Sequence, residues 1–418
     1  MGAALFSLAL PPLPAHAQWQ WGAAEVVAPA QTGVFHHLDA SGRQALAVSG
    51  PHVALAWSDT GLARCHLALK QGEAPFRDLP FGQGECFDPS VAPLDASRFL
   101  LAWEDEGGVR VAVADARGVR PAVTLAPAGG HAVLRRHATL GIHVAWSATE
   151  GRWRRLWRSC LTRQGDLLYA EAPQPVDPTP PVDDQMYPAL AVTPGAVHLA
   201  WEDRRHGHTV IYASHSRDGQ TWSAPLRVSQ NPTGKAAGGL GRGTGAMRPA
   251  LAAFGPDLAV VWLDKRDFLS GYDVFGAVSR DQGSSRSPGR PKNDLAPVGG
   301  GSGAVPEPGA QWTFGKNAKL QDSFGDAIAQ WHVAAAGNPG GALATAWDDD
   351  RDGSADIWLT WPQGEGYAEN IAPPPAAGPA KQTDPALWLD EAGNLHLAWI
   401  ERGDKETSSL RYSVGRPK

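Results

Sequence analysis

Three short stretches of this chain combine an indole, a carboxylate and a guanidinium at one fixed spacing: Trp201-Glu202-Asp203-Arg204-Arg205, Trp262-Leu263-Asp264-Lys265-Arg266 and Trp347-Asp348-Asp349-Asp350-Arg351. An Asp two residues and an Arg four residues beyond a Trp have two chemical uses. In Asp203/Arg205, Asp264/Arg266 and Asp349/Arg351, each Arg either pairs with a carboxylate of its own or the next blade and fixes blade stacking, at about 0–1 kcal/mol when exposed, or helps ring a pocket. In a pocket, the paired N–H donors of each guanidinium suit an anion such as the carboxylate of an acidic sugar. The repetition favours pairing, because function resides in particular sites grafted on a fold. Glu104, Asp105, Glu401 and Arg402 occupy equivalent turns as degenerate versions.

The third stretch runs on as Asp348-Asp349-Asp350-Arg351-Asp352-Gly353-Ser354-Ala355-Asp356. Carboxylates at positions 1, 3, 5 and 9 of such a loop can wrap one hard cation, and the glycine allows the sharp bend. Asp348, Asp350, Asp352 and Asp356 are therefore candidate ligands of a structural calcium, with the carbonyl of Ser354 completing the set. An acidic version of the paired turn, with Arg351 as counter-ion, accounts for the same residues. No other cofactor is required by the sequence.

The elements that position these turns recur with them. An apolar stretch ending in Trp and followed by a polar turn appears at Trp57, Trp103, Trp146, Trp201, Trp262, Trp347 and Trp399. A leading proline keeps its distance: Pro188 to Trp201 and Pro249 to Trp262 are 13 residues, and Pro89 to Trp103 and Pro385 to Trp399 are 14. Within a copy, Val197, Leu199 and Trp201 alternate with Ala196, His198 and Ala200, the period of a strand. One small antiparallel sheet of this kind cannot bury its own faces and must stack on copies of itself. The pattern predicts an all-β propeller of seven four-stranded blades in a single domain over 18–418, with repeats at about 44–86, 89–131, 133–173, 188–229, 249–330, 331–372 and 385–414. The last repeat supplies only three strands, so a strand over 24–29 is expected to complete it and remove two exposed sheet edges.

The turn Ser216-Arg217-Asp218-Gly219-Gln220-Thr221-Trp222 resembles the Asp box of the sialidase-like (BNR-repeat) propellers, one residue shorter than the commonest S-x-D-x-G-x-T-W form. A second copy, Ser279-Arg280-Asp281-Gln282-Gly283-Ser284-Ser285, keeps the full spacing but has Arg286 in place of Trp. The physics of the box is structural: Asp accepts backbone N–H bonds of its own turn, Gly takes a backbone conformation costly for other residues, and Trp packs beneath, burying roughly 200 Å². The resemblance implies that the boxes lie away from the ligand face and that the Trp-x-Asp-x-Arg turns lie on it. A sialidase also needs three arginines on the substrate carboxylate and a Tyr–Glu nucleophile pair; the Arg-Ile-Pro signature is absent here, the count of seven exceeds the six blades of sialidases, and none of Tyr187, Tyr272 and Tyr412 earns the nucleophile's role. Two readings follow: a ligand-binding propeller, for a glycan or a protein, without established catalysis, or an exo-acting glycosidase of sialidase type with a divergent site.

The remaining features bound these readings. A net charge of -6 gives no reason to expect nucleic-acid binding, and the basic aromatic run Arg152 to Arg158 reads as an outer strand. Leu5 to Leu13 is apolar and Ala15-His16-Ala17 fits a small-x-small cleavage site, so 1–17 reads as a signal peptide, without its basic n-region, and the chain as exported to the periplasm or beyond. No later stretch reaches the ~20 apolar residues of a membrane helix. Cys65 and Cys86 either form a disulfide between neighbouring strands or, with Cys160, remain as separate buried thiols.

Overall fold

The structure, a computed structural model, describes residues 19–61, 64–231, 245–266, 271–280, 313–323, 328–403 and 407–418. The signal-peptide expectation over 1–17 lies outside them. The described residues form seven blades of antiparallel strands, and each is led by one strand nearest a common axis: Leu46–Ser49, Cys86–Pro93, Gly130–His137, Gln185–Thr193, Ala246–Phe254, Trp331–Gly337 and Lys381–Leu389. These innermost strands touch in sequence order, and the seventh returns to the first, so the ring is closed. Blade 4 shows the plan: Gln185–Thr193, Ala196–Asp203, Val210–Ser216 and Leu226–Arg227 pair in chain order.

The recurrent tryptophans end the second strand of each blade. Trp201, Trp262, Trp347 and Trp399 are fully buried, and Trp57, Trp103 and Trp146 nearly so. Each fills the wedge between its blade and the next: Trp201 packs against Val133, Leu156 and Val176 of blade 3, and Trp146 packs with Leu100 and Val109 of blade 2. At ~25 cal/mol per Å², one such indole contributes on the order of 5 kcal/mol of burial. This is the physical reason for the spacing: a blade without its neighbour would leave that wedge in water.

The ring is locked by the two ends of the chain. Glu25–Ala28 pairs antiparallel with Ser408–Pro417, as the sequence predicts for that segment. A second strand, Trp19–Trp21, pairs further along the same partner, and the Trp19 indole donates to the Gly393 carbonyl at 3.0 Å. Cys65 and Cys86 form a disulfide, with Cα atoms 5.4 Å apart. Cys86 does not close the first repeat, as its position in the sequence suggests; it opens the innermost strand of blade 2. The disulfide therefore ties two blades together. Among the described residues, no helix is long and apolar enough to cross a membrane.

Candidate ligand site

In blade 4, Gln185 lies opposite Asp203, so the start of the innermost strand shares a face with the turn that follows the second strand. The same holds for blades 5 and 7. Near this end the register slips, between Phe87 and Ser90, Gly130 and Val133, Met186 and Ala189, Met247 and Ala250, Trp331 and Ala334, and Thr383 and Ala386. A bulge of this kind re-aims a side chain out of the ladder. At each slip one residue is left-handed: Asp88, His131, Tyr187, Arg248, His332 and Asp384, with φ between 48° and 60°. Arg43, at φ 57°, takes the same place in blade 1. These seven are the non-glycine residues with positive φ among the described residues, one per blade. The conformation is uncommon for such side chains, costs of order 1–3 kcal/mol each, and clusters at functional sites. Four of the seven stand directly before a proline, which itself disfavours helical backbone at that position.

The ring residues contact one another around the axis. The imidazole of His131 lies 4.0 Å from the Asp88 carboxylate, and its ring centroid is 4.0 Å from that of Tyr187. The Arg248 guanidinium stands 3.6 Å over the Tyr187 ring. On the other side, Asp384 accepts from Arg43 at 3.3 Å and its carboxylate lies 3.4 Å from His332 Nε2, while His332 Nδ1 meets Asp348 at 2.7 Å. Between the two arcs, at the step from Arg248 to His332, the ring opens into a cavity of about 230 Å³ whose walls include Arg43, Tyr187, Arg248, Trp331 and His332.

The floor of the cavity is built from blade 1. The tight turn Ser41–Arg43 lies on the axis and touches the innermost strand of every other blade. The Ser41 hydroxyl donates to the Pro188 carbonyl at 2.6 Å and the Gln44 amide to the Leu190 carbonyl at 2.5 Å. A Cβ on Gly42, at φ 61°, would stand 2.9 Å from the Ala189 methyl, so only glycine lets the turn settle so deep.

Acids on the second strand support the ring. The residue after the recurrent Trp is Glu104, Glu202 or Asp348 in three blades. Glu202 Oε1 accepts the Arg248 N–H at 2.5 Å, and Asp348 Oδ1 accepts the Asp384 N–H at 3.0 Å. Burial pushes the Glu202 carboxyl up to about 7 against the pull of Arg248. Burial, with Glu104 and Asp39 nearby, also raises Asp88 to about 7. Burial, then Arg154 and Arg248, lowers His131 to about 3. Asp384 goes the other way: burial alone would raise it, but His332, Arg43 and Arg402 outweigh burial and hold it well below the ordinary carboxylate range. At neutral pH the arc from His131 to Arg248 thus carries a neutral imidazole, a phenol and a cation.

The Trp-x-Asp-x-Arg turns lie on the same face but farther from the axis, and none of Asp203, Arg205, Asp264, Arg266, Asp349 and Arg351 lines the cavity. Each Asp is buried and doubly engaged. Asp203 accepts from the Trp201 indole at 3.1 Å and from Arg205 at 2.6 and 2.8 Å. Asp264 accepts from Trp262 at 2.8 Å and from Arg266 at 2.7 and 3.0 Å, and Asp349 repeats the pattern with Trp347 and Arg351. Each guanidinium then lies over the aromatic side chain opposite the Trp: Tyr212, Phe275 or Trp358, at 4.6, 3.8 and 4.0 Å. Trp103 makes the same indole bond to Asp105 in blade 2.

Of the calcium candidates, Asp348 faces His332 and the Asp384 N–H, and Asp356 accepts the Gly378 N–H at 2.9 Å. Among the described residues, no three His, Cys, Asp or Glu side chains gather as a metal site, and Asp348, Asp350, Asp352 and Asp356 are not brought together. In the Asp-box turn, Asp218 Oδ1 accepts from the Thr221 and Gln220 N–H groups at 2.7 and 2.8 Å and from Ser216 Oγ at 3.0 Å, which holds its carboxyl at about 2. Gly219 takes φ 79°. Trp222 lies beneath the Arg158 guanidinium at 5.5 Å. The turn follows the third strand and lies on the face opposite the cavity. Of the second copy, Ser279 ends its strand, while Asp281 and Gly283 lie outside the described residues.

The ring was missed by sequence reasoning, although a signal was present. The recurrent prolines serve well as spacing marks, and the residues before them, Asp88, Tyr187, Arg248 and Asp384, are the ones that reach the axis.

No protein-family model matches the chain, and no curated protein sequence does. Among solved structures, the chain is similar to the polysaccharide lyase Uly1, with a TM-score of 0.54 at 10% identity over 88% of this chain and 89% of that one. It is similar also to a protein of unknown function from Dyadobacter fermentans DSM 18053, with a TM-score of 0.53 at 11% identity over 96% and 99%. An alpha-L-arabinanase of Penicillium chrysogenum matches with a TM-score of 0.47 at 10% identity over 94% and 98%. At such identities the likeness concerns the fold: a seven-bladed propeller whose structural neighbours include glycoside hydrolases and a polysaccharide lyase.

Proposed function

We propose that this protein is an exported propeller that binds an acidic saccharide, carrying carboxylate or sulfate groups, in the axial cavity. The observation that carries the reading is Arg248. Its guanidinium lies on the Tyr187 face at the cavity wall, opposite Arg43, and no carboxylate among the described residues comes within salt-bridge distance of it. A planar cation beside an aromatic wall, near Asp88 and Glu202 but in salt-bridge contact with neither, suits a sugar ring with an anionic substituent: the ring lies on the aromatic face and the anion takes paired N–H donors. A polysaccharide lyase among the proteins of similar fold agrees with this class of ligand.

Binding rather than cleavage is favoured by the phenol of Tyr187, which burial pushes above its ordinary value. It makes no hydrogen bond to Glu202, whose oxygen is spent on the Arg248 backbone. Tyr187 and Glu202 are therefore not joined as the nucleophile pair of a sialidase-type glycosidase. The test is titration calorimetry with galacturonate, glucuronate, galactose 6-sulfate and neutral galactose. Acidic sugars should bind, and Arg248→Ala should weaken them about 10- to 100-fold, the worth of one or two charge-assisted hydrogen bonds. Equal binding of neutral and acidic sugars, or none by the folded protein, would overturn the proposal. Turnover in the same incubations would identify an enzyme instead.

A further inference from the structure

The cavity does not end at the ring. Its wall at blade 6 is Trp331, which is 43% exposed although it is among the largest apolar side chains of the protein. Behind it, Tyr272 of blade 5 is packed at 5.1 Å between ring centroids, the planes tilted by 56°. Beyond Tyr272, the Lys265 ammonium stands 5.2 Å from that ring. No carboxylate among the described residues pairs with Lys265. The three side chains thus follow one another from the cavity wall: an exposed indole, a phenol and a cation with no carboxylate partner among the described residues.

We infer that this row is a second subsite, which takes the next residue of a linear acidic saccharide and its anionic group. The inference rests on the axial cavity holding an acidic sugar, and it adds that the ligand is a chain. The Trp331 face supplies the stacking surface, Tyr272 fixes the tilt of the indole, and Lys265 supplies a point charge two contacts beyond the cavity wall. The steps from Trp331 to Tyr272 and from Tyr272 to Lys265 are both about 5 Å. An isolated monosaccharide in the cavity reaches none of the outer charge.

The two proposals separate in one calorimetric series. Galacturonate is compared with tetragalacturonate, glucuronate with a hyaluronan tetrasaccharide, and galactose 6-sulfate with a sulfated carrageenan tetrasaccharide. For the acidic class that binds, the tetrasaccharide should bind about tenfold tighter than the monosaccharide, the gain expected of one added charge-assisted contact. Lys265→Ala should remove most of that gain and leave monosaccharide affinity unchanged, Lys265→Arg should restore it, and Trp331→Ala, which also alters the cavity wall, should lower the ratio of chain to monosaccharide affinity. Both positions are at least partly exposed, so folding is preserved. Equal affinity for chain and monosaccharide, or a gain indifferent to both substitutions, would overturn the outer subsite while leaving the inner site standing. Absence of any acidic-sugar binding would overturn both.

Discussion

Glu202→Gln should make the protein more stable at pH 8 and leave it unchanged at pH 4. Glu202 is 3% exposed and its oxygen accepts the Arg248 N–H. Burial raises its carboxyl from 4.5 to about 7. Below pH 4.5 the group is protonated both in the folded and in the unfolded chain and contributes nothing. Between pH 4.5 and 7 the unfolded chain loses the proton while the native one keeps it, so stability falls as pH rises. Above pH 7 both are ionised, and the native fold carries a buried carboxylate at a cost of about 3 kcal/mol. Glutamine keeps the shape and an acceptor oxygen for Arg248 but never ionises. With an unfolding entropy of ~2.1 cal/mol/K per residue over a chain of this length, the variant should melt about 3–4 °C above the parent at pH 8. Thermal unfolding of both proteins at pH 4, 6 and 8 is the assay. Melting curves that run parallel from pH 4 to 8, or a variant less stable at pH 8, would refute the reasoning.

Asp203→Ala should cost about 3–5 kcal/mol, because Arg205 and the Trp201 indole lose a buried partner; chemical denaturation measures it, and lost ligand affinity in an equally stable fold would instead place the turn in the ligand site. Cys65→Ser should lower stability by about 3 kcal/mol, the constraint of closing a loop of some twenty residues, and the same reductant-dependent loss should appear in the parent. With Asp348 and Asp356 engaged by His332, Asp384 and Gly378, the melting temperature should be unmoved by calcium or by chelator.

The wheel itself was legible because packing dictates it. A Trp that must fill the wedge between two blades recurs at blade spacing whatever surrounds it, and Glu25–Ala28 advertises a strand that has no sheet of its own. Trp19–Trp21 was not read, since three residues beside the cleavage motif carry no period. The face on which the cavity opens followed from strand order, but its distance from the axis did not. The Trp-x-Asp-x-Arg turns attract attention because they repeat, and they repeat because each knits its own turn, with Arg205 and Arg351 reaching on to Asp177 and Asp322. The axial residues are seven positions of one backbone shape filled by Arg, Asp, His, Tyr, Arg, His and Asp, so no residue type marks them. The bulge that unites them is a property of pairing between strands, which appears only when the sheets are laid out.

That bulge separates scaffold from specificity. The left-handed kink sets the direction of each axial side chain through the backbone, while the blade beneath is held chiefly by its own tryptophan. Seven interchangeable sockets therefore surround one hollow, each fed by a single codon. A lineage carrying this architecture can change what the hollow presents, one socket at a time, with no rebuilding of the wheel.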